Sequence, residues 1–520
     1  MVSRGGSAMI SPGAADRPDD GEPGWESARQ RFHEGMRAVL EYQPDERAMQ
    51  YEGTWSSWRQ VRELGESLAE LLSDVPAGPV ALVLRNRPSG VAALLGLLGS
   101  GRTIFLVSPI QPPTSIAADV ARCSVVAVVG DAGDISPKPA ALRGLCGIGL
   151  SSRTDGQLLA HLRPGGAVPH STRAAPTIEV PPDTAIVVPT SGTTGPPKRI
   201  PLRWANLPLP RLGRERSVVI NGLSSVTITG LSTLLRALAR GRPVALLERL
   251  EVHAWAALVR EHRPRLAGLP PAAMRTLLDS SVDPGDLASI EAWPTGSAPV
   301  PPSLQEEFER KFRIPVLVSY GATEFGGAVA GWSLEDHQQW APAKRGSVGR
   351  ANPGVSLRVV DQVYGRELGA GEIGLLEVRS PNAPVAPGQW VRTNDLAHID
   401  DDGFLYIRGR ADDVIVRGGF KVPLGELEAI LTAHPAVTSA GAVGLADERL
   451  GQVPAVAVTV AAGAAPPSEQ ELKDWVRERA APYKVPVLVR VVDNLPQTVS
   501  LKVSRPGLQR MLEPLWAVRR

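Results

Sequence analysis

The stretch that decides the fold runs from residue 188 to residue 198 and reads Val188-Pro189-Thr190-Ser191-Gly192-Thr193-Thr194-Gly195-Pro196-Pro197-Lys198. It follows the apolar run Ala185-Ile186-Val187-Val188, which is typical of a buried strand. Glycine lets a backbone approach a ligand closely, and N–H groups, hydroxyls and a lysine can together surround phosphate oxygens. Because Pro197 rather than glycine precedes Lys198, this is not a Walker loop. We predict a phosphate-binding loop of another kind at the end of a strand.

Short apolar runs and helical patterns flank this loop. Residues 80–84, 125–129 and 315–318 read as buried strands, and apolar spacing from Trp58 to Leu72 predicts a helix. Buried strands that alternate with helices are typical of parallel sheets, so we predict an α/β fold.

The pattern of predicted secondary structure changes twice toward the C-terminal end. Short strands and turns from about residue 355 predict a small β subdomain, and helices mix with strands from about residue 412. We predict a large N-terminal domain of parallel-type sheets with helices, which includes the small β subdomain, and a smaller α+β C-terminal domain. The predicted boundaries are a disordered N-terminus at residues 1–24, the large domain at 25–410 and a small mobile domain at 411–520.

The composition excludes several kinds of partner. The formal net charge is +2 and the basic residues are scattered, unlike the concentrated positive surface of a nucleic-acid binder. The longest apolar stretch, Val91–Leu98, is far shorter than the roughly 20 residues of a membrane span. Cys123 and Cys146 cannot build a disulfide framework, and no secretory signal opens the chain. We expect a cytoplasmic protein with no membrane span and no nucleic-acid partner.

Five further stretches carry polar residues that suit nucleotide chemistry. They are Gly296-Ser297-Ala298-Pro299, Ser319-Tyr320-Gly321-Ala322-Thr323-Glu324, Arg392-Thr393-Asn394-Asp395, Gly409-Arg410-Ala411-Asp412-Asp413-Val414-Ile415-Val416-Arg417-Gly418-Gly419-Phe420-Lys421-Val422 and Leu495-Pro496-Gln497-Thr498-Val499-Ser500-Leu501-Lys502-Val503-Ser504-Arg505. A strand-end carboxylate can hold Mg²⁺, an aromatic ring can stack on a base, and a carboxylate can accept from two hydroxyls.

Together with the first loop, these stretches resemble, in order along the chain, the core motifs of the superfamily of adenylate-forming enzymes. That superfamily includes acyl- and aryl-CoA synthetases, luciferases and the adenylation domains of peptide synthetases. The run Phe325-Gly326-Gly327 is more similar to the acyl- and aryl-CoA synthetase branch. The matches extend from about residue 185 to residue 505.

The resemblance implies a binding site for ATP. The implied phosphate-binding residues are Thr190, Ser191, Gly192, Thr193, Thr194, Gly195 and Lys198. The implied adenine and ribose contacts are Gly296, Ser297, Ala298, Tyr320, Gly321, Thr323, Asp395 and Arg410. The family pattern gives Tyr320 the adenine stack, Asp395 the ribose hydroxyls and Thr323 a phosphate contact. It gives Glu324 the Mg²⁺.

The resemblance also implies a catalytic set, which is Lys502, Thr194, Glu324 and Arg410. The lysine of the last motif bridges the substrate carboxylate and the α-phosphate of ATP. Asp412 is the implied hinge of the small domain, because a hinge must absorb large backbone changes. The implied tunnel for the pantetheine of coenzyme A is bordered by Gly418, Gly419 and Phe420.

The acyl pocket is expected near residues 221–230. The predicted pocket residues are Ser225, Val226, Thr229 and Gly321. Amino-acid-activating relatives place an aspartate here to pair with the α-ammonium group, and this segment contains no acidic residue. We therefore expect an aliphatic, alicyclic or aromatic acid that lacks an α-amine.

The activity that the resemblance implies is an AMP-forming carboxylic acid–CoA ligase, which uses ATP, Mg²⁺ and coenzyme A as co-substrate. Two alternatives stay open: an acyl-AMP ligase that loads the phosphopantetheine of an acyl carrier protein, and a catalytically silent nucleotide-binding scaffold. The expected partner is a small-molecule carboxylic acid, and the protein is expected to be a monomer or a homodimer.

Three positions depart from the family pattern. Asn394 stands where glycine is usual, which alters a backbone position and leaves the acceptor Asp395 in place. Leu501 replaces the usual glycine before Lys502 and bears on how the last loop closes. Pro189 stands where an aromatic residue often begins the phosphate loop.

Overall fold

The computed structural model describes residues 24–135, 145–162, 180–190, 198–213, 215–386, 388–460, 465–498 and 502–519, and of Lys421 the backbone alone. The predicted disordered N-terminus, residues 1–24, lies outside this part of the chain except for Gly24. The described residues confirm the α/β fold with a large N-terminal part and a smaller C-terminal part. No described helix has the length and apolar character needed to cross a bilayer.

Helices and strands alternate through the N-terminal part. Its helices are α1 (Trp25–Tyr42), α2 (Trp58–Leu71), α3 (Pro88–Gly99), α4 (Pro113–Ala121), α5 (Ile228–Leu238), α6 (Val252–His262), α7 (Pro271–Asp279), α8 (Pro302–Phe312) and α9 (Leu334–Trp340). Its strands are β1 (Arg47–Tyr51), β2 (Thr54–Ser57), β3 (Val80–Val83), β4 (Ile104–Val107), β5 (Ala127–Asp131), β6 (Cys146–Ser152), β7 (Leu158–Leu162), β8 (Thr184–Pro189), β9 (Arg199–Arg203), β10 (Val219–Asn221), β11 (Val244–Leu246), β12 (Trp293–Thr295), β13 (Val316–Ala322), β14 (Gly327–Gly331), β15 (Arg350–Ala351), β16 (Ser356–Val360), β17 (Gly374–Arg379), β18 (Val391–Ile399) and β19 (Leu405–Arg410).

Helices α2 and α3 show how local sequence builds the layers. Ser57 and Gln60 form a capping box at the start of α2, in which each side chain bonds the backbone N–H of the other residue. The apolar residues of α2 recur at helical spacing and are buried. A Cβ atom on Gly96 of α3 would lie 2.7 Å from the Cα of Gly65 in α2, so only glycine lets the two helices approach this closely.

A seven-stranded sheet in the order β7-β6-β5-β3-β4-β8-β9 forms the centre of the large domain. Its inner strands pair in parallel, while the edge strands β7 and β9 run antiparallel to their neighbours. Strands β3 and β4 are buried along their whole length, which explains their uninterrupted apolar sequences. The strand predicted at residues 125–129 begins two residues later, at Ala127.

Two more sheets complete the α/β layers, in the orders β10-β11-β1-β2 and β12-β13-β14-β15. Strands β10, β11 and β1 are parallel, as are β12 and β13. In sheets of this kind ligands bind beyond the carboxyl ends of the strands. The ends of β8, β12 and β13 carry three of the predicted motifs to such an edge.

The small β subdomain is an antiparallel sheet in the order β16-β17-β18-β19, and its last strand ends at Arg410. Beyond it, the C-terminal part has its own sheet in the order β21-β20-β23-β22, with β24 beside β23. The C-terminal elements are β20 (Val414–Arg417), β21 (Phe420–Pro423), α10 (Leu424–Thr432), β22 (Val437–Asp447), β23 (Gly451–Val460), α11 (Glu469–Arg477), β24 (Leu488–Val491) and α12 (Arg505–Arg519).

Candidate active site

The phosphate loop connects two antiparallel strands. Strand β8 ends at Pro189, which pairs with Arg199 at the start of β9. The Thr190 backbone N–H donates a hydrogen bond of 2.8 Å to the Lys198 carbonyl, and the Thr190 hydroxyl donates to the same oxygen at 3.4 Å. Thr190 and Lys198 line a large cleft. The other predicted phosphate-binding residues lie outside the described residues: Ser191, Gly192, Thr193, Thr194 and Gly195.

The same cleft gathers residues that are far apart in the sequence. Its described lining includes Gly296, Ser297, Gly321, Thr323, Glu324, Arg410, Asp412 and Lys502. These residues come from the turn after β12, the end of β13, the end of β19 and the C-terminal part. Tyr320, Ala298 and Asp395 are absent from the described lining. Tyr320 and Asp395 nevertheless connect to it through Arg410, and Ala298 follows Ser297 in the same turn.

Tyr320 and Asp395 are joined by a hydrogen bond in which the Tyr320 hydroxyl donates to the Asp395 carboxylate. Burial raises the pKa of Tyr320, and the charge of Asp395 raises it further, so the hydroxyl keeps its proton. Burial also raises the pKa of Asp395, against the hydrogen bond from Tyr320 and the charge of Arg410. The predicted adenine-stacking ring and the predicted ribose carboxylate thus form one unit.

Arg410 connects this unit to the predicted hinge. Its Nε and Nη2 atoms donate to the two carboxylate oxygens of Asp412, both at 2.8 Å, and its Nη1 lies 3.7 Å from Asp395 Oδ1. The hydrogen bond from Arg410 lowers the pKa of Asp412 despite partial burial. Asn394, the residue that departs from the family pattern, donates from Nδ2 to Asp412 Oδ2 at 3.0 Å. The predicted hinge aspartate is therefore held by one side chain from β18 and one from β19.

Lys502 brings a residue of the C-terminal part into the lining of the cleft. The Thr498 backbone N–H donates to the Lys502 carbonyl at 2.7 Å, and Gln497 pairs with Val503 across the base of the turn. Leu501 lies outside the described residues.

The Lys502 amine faces acidic groups of the N-terminal part. Its side chain is open to the cleft, yet the protein around it lowers the pKa of the amine through desolvation, while the carboxylates of Glu324 and Asp395 raise it. A cation in such a partly desolvated site interacts more strongly with nearby anions than it would in water. The structure thus brings the predicted catalytic lysine to the predicted metal and ribose carboxylates.

Glu324 stands on a short 3-10 turn after β13 and faces the cleft. No described side chain donates a hydrogen bond to its carboxylate. Within the described part of the chain, no three Asp, Glu, His or Cys side chains converge to hold a metal. Mg²⁺ is usually bound by one or two carboxylates together with substrate phosphates and waters. The residues therefore fit a Mg²⁺ that enters with a nucleotide and takes Glu324 as its protein ligand.

Two glycines let backbone segments close around the cleft. A Cβ atom on Gly296 would lie 2.7 Å from the Ser319 carbonyl oxygen, and one on Gly321 would lie 2.3 Å from the Gly327 carbonyl oxygen. Ser297 has a φ of 67°, in the left-handed region that few residues other than glycine adopt. Its hydroxyl lies 3.1 Å from that of Thr229, which fixes this turn against the start of α5.

The segment before α5 forms a wall of the cleft. Val226 and Thr229 line the cleft, as predicted residues of the acyl pocket, and the Thr227 hydroxyl caps the helix by accepting from the Gly230 N–H at 3.3 Å. Ser225 differs from the prediction, because it is fully buried and its hydroxyl accepts from Asn221 Nδ2 at 3.1 Å. It supports the wall from behind instead of facing the cleft.

Asn86 is a supporting residue that the sequence analysis missed. Its buried amide donates to the carbonyls of Leu223 and Leu247, at 2.7 and 3.1 Å, and its oxygen accepts from the Ser225 N–H at 2.9 Å. One side chain after β3 therefore anchors Leu223 and Ser225, which belong to the segment where the acyl pocket is predicted. The sequence gives no signal for it, because its partners are 137 or more residues away.

The predicted pantetheine residues form the turn of a hairpin between β20 and β21. Gly418 and Gly419 have φ values of 57° and 88°, which suit a two-residue turn that only glycine adopts readily at both positions. Phe420 is 58% exposed and stacks on Tyr483, with ring centroids 4.8 Å apart. None of the three lies in the described lining of the cleft, whereas Lys502 does.

Comparison with known proteins agrees with this geometry. The profile of the AMP-binding enzyme matches residues 36–390, and that of the AMP-binding enzyme C-terminal domain matches residues 426–502. The 2-succinylbenzoate–CoA ligase of Bacillus licheniformis is 32% identical over 347 residues, which cover 63% of this chain and 70% of that protein. The 4-coumarate–CoA ligase 1 of Oryza sativa subsp. japonica is 27% identical over 499 residues, which cover 88% of each chain.

A solved structure shares the whole fold. It is o-succinylbenzoate CoA synthetase (MenE) of Bacillus subtilis in complex with the acyl-adenylate intermediate OSB-AMP, with a TM-score of 0.69 and 24% identity over 94% of this chain and 98% of that chain. The curated relatives are CoA ligases, which confirms the resemblance to the acyl- and aryl-CoA synthetase branch. From its motifs, its fold and these matches together, the chain belongs to the AMP-binding enzyme family.

Proposed function

We propose that this protein is an ATP-dependent, AMP-forming ligase that joins a carboxylic acid lacking an α-amine to coenzyme A. The observation that carries the proposal is that Lys502 and Glu324 line the same cleft, beside the two ends of the phosphate loop. The carboxylates of Glu324 and Asp395 are near enough to raise the pKa of the lysine amine. A triphosphate, a ribose and a reacting carboxylate need a cation, a metal carboxylate and a hydroxyl acceptor at one place. Lys502 and Glu324 line this cleft, and Asp395 lies beside Arg410, which also lines it.

In the proposed first half-reaction, the substrate carboxylate attacks the α-phosphorus of ATP and pyrophosphate leaves. Lys502 places a positive charge between the two reacting anions, where a preorganised cation stabilises the charge that develops in the transition state. Asp395 accepts hydrogen bonds from the ribose, with Tyr320 and Arg410 fixing its carboxylate. Mg²⁺ held by Glu324 would neutralise phosphate oxygens.

In the proposed second half-reaction, a thiol sulfur bonds to the acyl carbon, AMP leaves with its phosphate oxygen, and the thiol proton passes to solvent. The C-terminal part would turn about Asp412, so that Lys502 withdraws and the turn at Gly418 and Gly419 reaches the cleft. The present arrangement, with the lysine inside and the glycine turn outside, suits the first half-reaction.

The proposed acid carries no α-amine, because residues 221–230 offer no carboxylate to an ammonium group. Val226 and Thr229 give the described wall both apolar and hydroxyl character. Relatives named for 2-succinylbenzoate and 4-coumarate favour an aromatic acid among the aliphatic, alicyclic and aromatic ones. Their names also favour coenzyme A over a carrier protein as the acceptor. We further propose a cytoplasmic location, where ATP and coenzyme A are at hand.

The test uses purified protein with ATP, Mg²⁺ and a panel of acids, with either coenzyme A or a phosphopantetheinylated carrier protein. We expect AMP and an acyl-CoA thioester in equal amounts, measured by chromatography and mass spectrometry, and neither product when the acid is omitted. Thioester formed on the carrier protein alone would move the acceptor assignment to a carrier protein. ATP binding without pyrophosphate release for any acid would instead indicate a silent nucleotide-binding scaffold.

A further inference from the structure

Helix α5 presents a polar stripe to the cleft beyond the acyl segment. The residues of this stripe line the cleft at spacings of three and four, which places them on one face of the helix: Thr229, Ser232, Thr233 and Arg236. The opposite face packs into the apolar core through Leu231, Leu234, Leu235 and Leu238, and Leu231 and Leu235 also border the cleft. A wall for a purely apolar acid would need neither the hydroxyls nor the guanidinium.

Arg236 ends the stripe without an acidic partner among the described residues. Its side chain opens onto the cleft, and burial by the surrounding protein lowers its pKa with no nearby carboxylate to oppose the effect. A guanidinium carries five N–H donors in a planar fork, and no described residue accepts a hydrogen bond from that of Arg236.

Other arginines of the same lining hold carboxylates of the protein. Arg203 pairs with Asp183 at 3.2 Å, Arg242 with Glu215 at 3.2 Å and Arg265 with Glu291 at 2.6 Å. Arg31, Arg240 and Arg249 also line the cleft and, like Arg236, have no acidic partner among the described residues. Of these four arginines, Arg236 is the one that stands on the hydroxyl stripe of α5. At Arg236 the described protein supplies none, so the acceptor is expected to come from a ligand.

The distance along α5 between Thr229 and Arg236 indicates how long that ligand is. The Thr229 hydroxyl lies 3.1 Å from the Ser297 hydroxyl, at the nucleotide end of the cleft. Arg236 is two turns further along α5, a rise of about 10 Å. An acid that places its reacting carboxylate near Lys502 would thus extend along the hydroxyls of α5 with its far end toward the guanidinium.

We propose that the acid activated by this protein carries a second carboxylate at its far end, and that Arg236 binds this group. The inference rests on the proposed function and narrows the substrate to dicarboxylic acids. Arginine and carboxylate form paired, charge-assisted hydrogen bonds of matching geometry. The Ser232 and Thr233 hydroxyls contact the part of the acid between its two ends.

The test compares dicarboxylic acids of graded length, straight-chain and aromatic, with their monomethyl esters. Each ester keeps the length and one carboxylate and loses the second charge. The readout is kcat/KM for CoA-dependent AMP release. We expect the wild-type protein to prefer at least one diacid over its ester by about 10- to 100-fold, and Arg236→Gln to reduce that ratio to about 1. Arg240→Gln is the matched control, since it removes the same charge one turn further along, and it should keep the preference.

Three outcomes would overturn the proposal: a wild-type protein that uses diacids and esters equally, an unchanged ratio in Arg236→Gln, or equal losses in Arg236→Gln and Arg240→Gln, which would indicate a general positive field. Calorimetric titration of each diacid and ester separates this proposal from the proposed function. Diacid binding that weakens about 10-fold or more in Arg236→Gln, without AMP release by either protein, would refute ligase activity and still support the anion site. Equal AMP release from both acid types would refute the anion site alone.

Discussion

Two sets of ion pairs in this protein differ in burial and in the number of partners. In the N-terminal part, Glu248 accepts hydrogen bonds from both Arg85 and Arg87. Arg85 also binds Asp134 at 2.6 Å, and Arg87 also binds Asp131 at 2.7 Å. This Glu248 network, formed by these five residues, joins the carboxyl ends of strands from two different sheets.

At the junction with the C-terminal part, Asp412 is held by Arg410 and Asn394 alone among the described side chains. The side chains of Arg410 and Asp412 are 46% and 49% exposed, whereas those of Asp134 and Glu248 are 8% and 20% exposed. Exposed pairs contribute about 0–1 kcal/mol, and removal of one partner from a buried set costs about 3–5 kcal/mol. The Glu248 network therefore contributes more to the stability of the large domain than the Arg410–Asp412 pair contributes to the contact with the predicted hinge.

The largest effect is expected from the residue that crosses the weak junction. Lys502→Ala should slow adenylation by about 100- to 1,000-fold, because it removes the cation that faces the developing charge. Thiolation of supplied acyl-adenylate should proceed, since the proposed second step withdraws this lysine. Pyrophosphate release and rapid-quench thioester formation measure the two steps separately. Equal losses in both would contradict the alternation of two arrangements.

The second largest effect is expected in the Glu248 network. Glu248→Ala should lower the free energy of unfolding by about 3 kcal/mol, because it leaves two partly buried arginines short of an acceptor. Asp412→Ala is the matched control, and it should change the same quantity by less than about 1 kcal/mol. Urea unfolding followed by tryptophan fluorescence measures both. If the two variants lose the same free energy of unfolding, the Glu248 network is no more important to stability than the Arg410–Asp412 pair, and the comparison is wrong.

Glu309 provides a test of ion pairing inside the large domain that depends on pH. Burial raises its pKa, but hydrogen bonds from His337 and from the Val316 backbone N–H, with the charge of Arg345, lower it to about 2. Since the folded-state pKa is depressed, its stabilisation is complete above the unfolded pKa and is lost as pH falls toward the folded value. Glu309→Gln should reduce the pH dependence of the unfolding free energy below the ordinary glutamate pKa of 4.5, by about 2 kcal/mol in total.

Urea unfolding at several acidic pH values, on wild type and Glu309→Gln in parallel, measures this dependence. Glu291 provides the comparison, because its carboxylate is largely exposed and paired with Arg265. The hydrogen bond from Arg265 also lowers the pKa of Glu291, but solvent screens this exposed pair, so Glu291→Gln should change the pH profile less than Glu309→Gln does. Profiles of identical slope for the wild type and Glu309→Gln would contradict the assignment.

The smallest effect is expected at Asn394, the residue at the junction that departs from the family pattern. Asn394→Gly removes the 3.0 Å hydrogen bond to Asp412 and restores the residue that is usual in the family. An exposed hydrogen bond contributes about 0.5–1.5 kcal/mol. Without it, the C-terminal part should leave the arrangement that keeps Lys502 in the cleft about 2- to 10-fold more readily. Single-turnover thiolation should accelerate, with unfolding free energy changed little. A slower second step would show that Asn394 assists the turn instead of restraining it.

The sequence predicts the parts of this site that are contiguous in the chain. The phosphate loop, the strand-end run to Glu324 and the last motif are each local patterns, and their described residues meet at the cleft. The antiparallel edges β7 and β9 could not be predicted, because an apolar run carries no information about strand direction. The Glu248 network and the anchoring role of Asn86 depend on sheet order, which brings together residues far apart in sequence.

Orientation is a second limit of sequence reasoning. Ser225, Val226 and Thr229 are close in the chain, yet only the last two face the cleft. The segment before α5 is irregular, so neither a helical nor a strand period says which side chains turn inward. Arg236 was missed for a related reason, since a single arginine in a helix reads as a surface charge until its surroundings are known.

The close contact at Gly321 restricts how the substrate range of this protein can be redesigned. Any β-carbon there would collide with the Gly327 carbonyl on the paired strand β14, so the floor of the cleft has one permitted residue. Directed evolution toward bulkier or smaller acids would therefore gain nothing from a library at this position. Altered acid selectivity should be sought by randomisation at Thr229, Ser232 and Thr233, which line the cleft from helix α5.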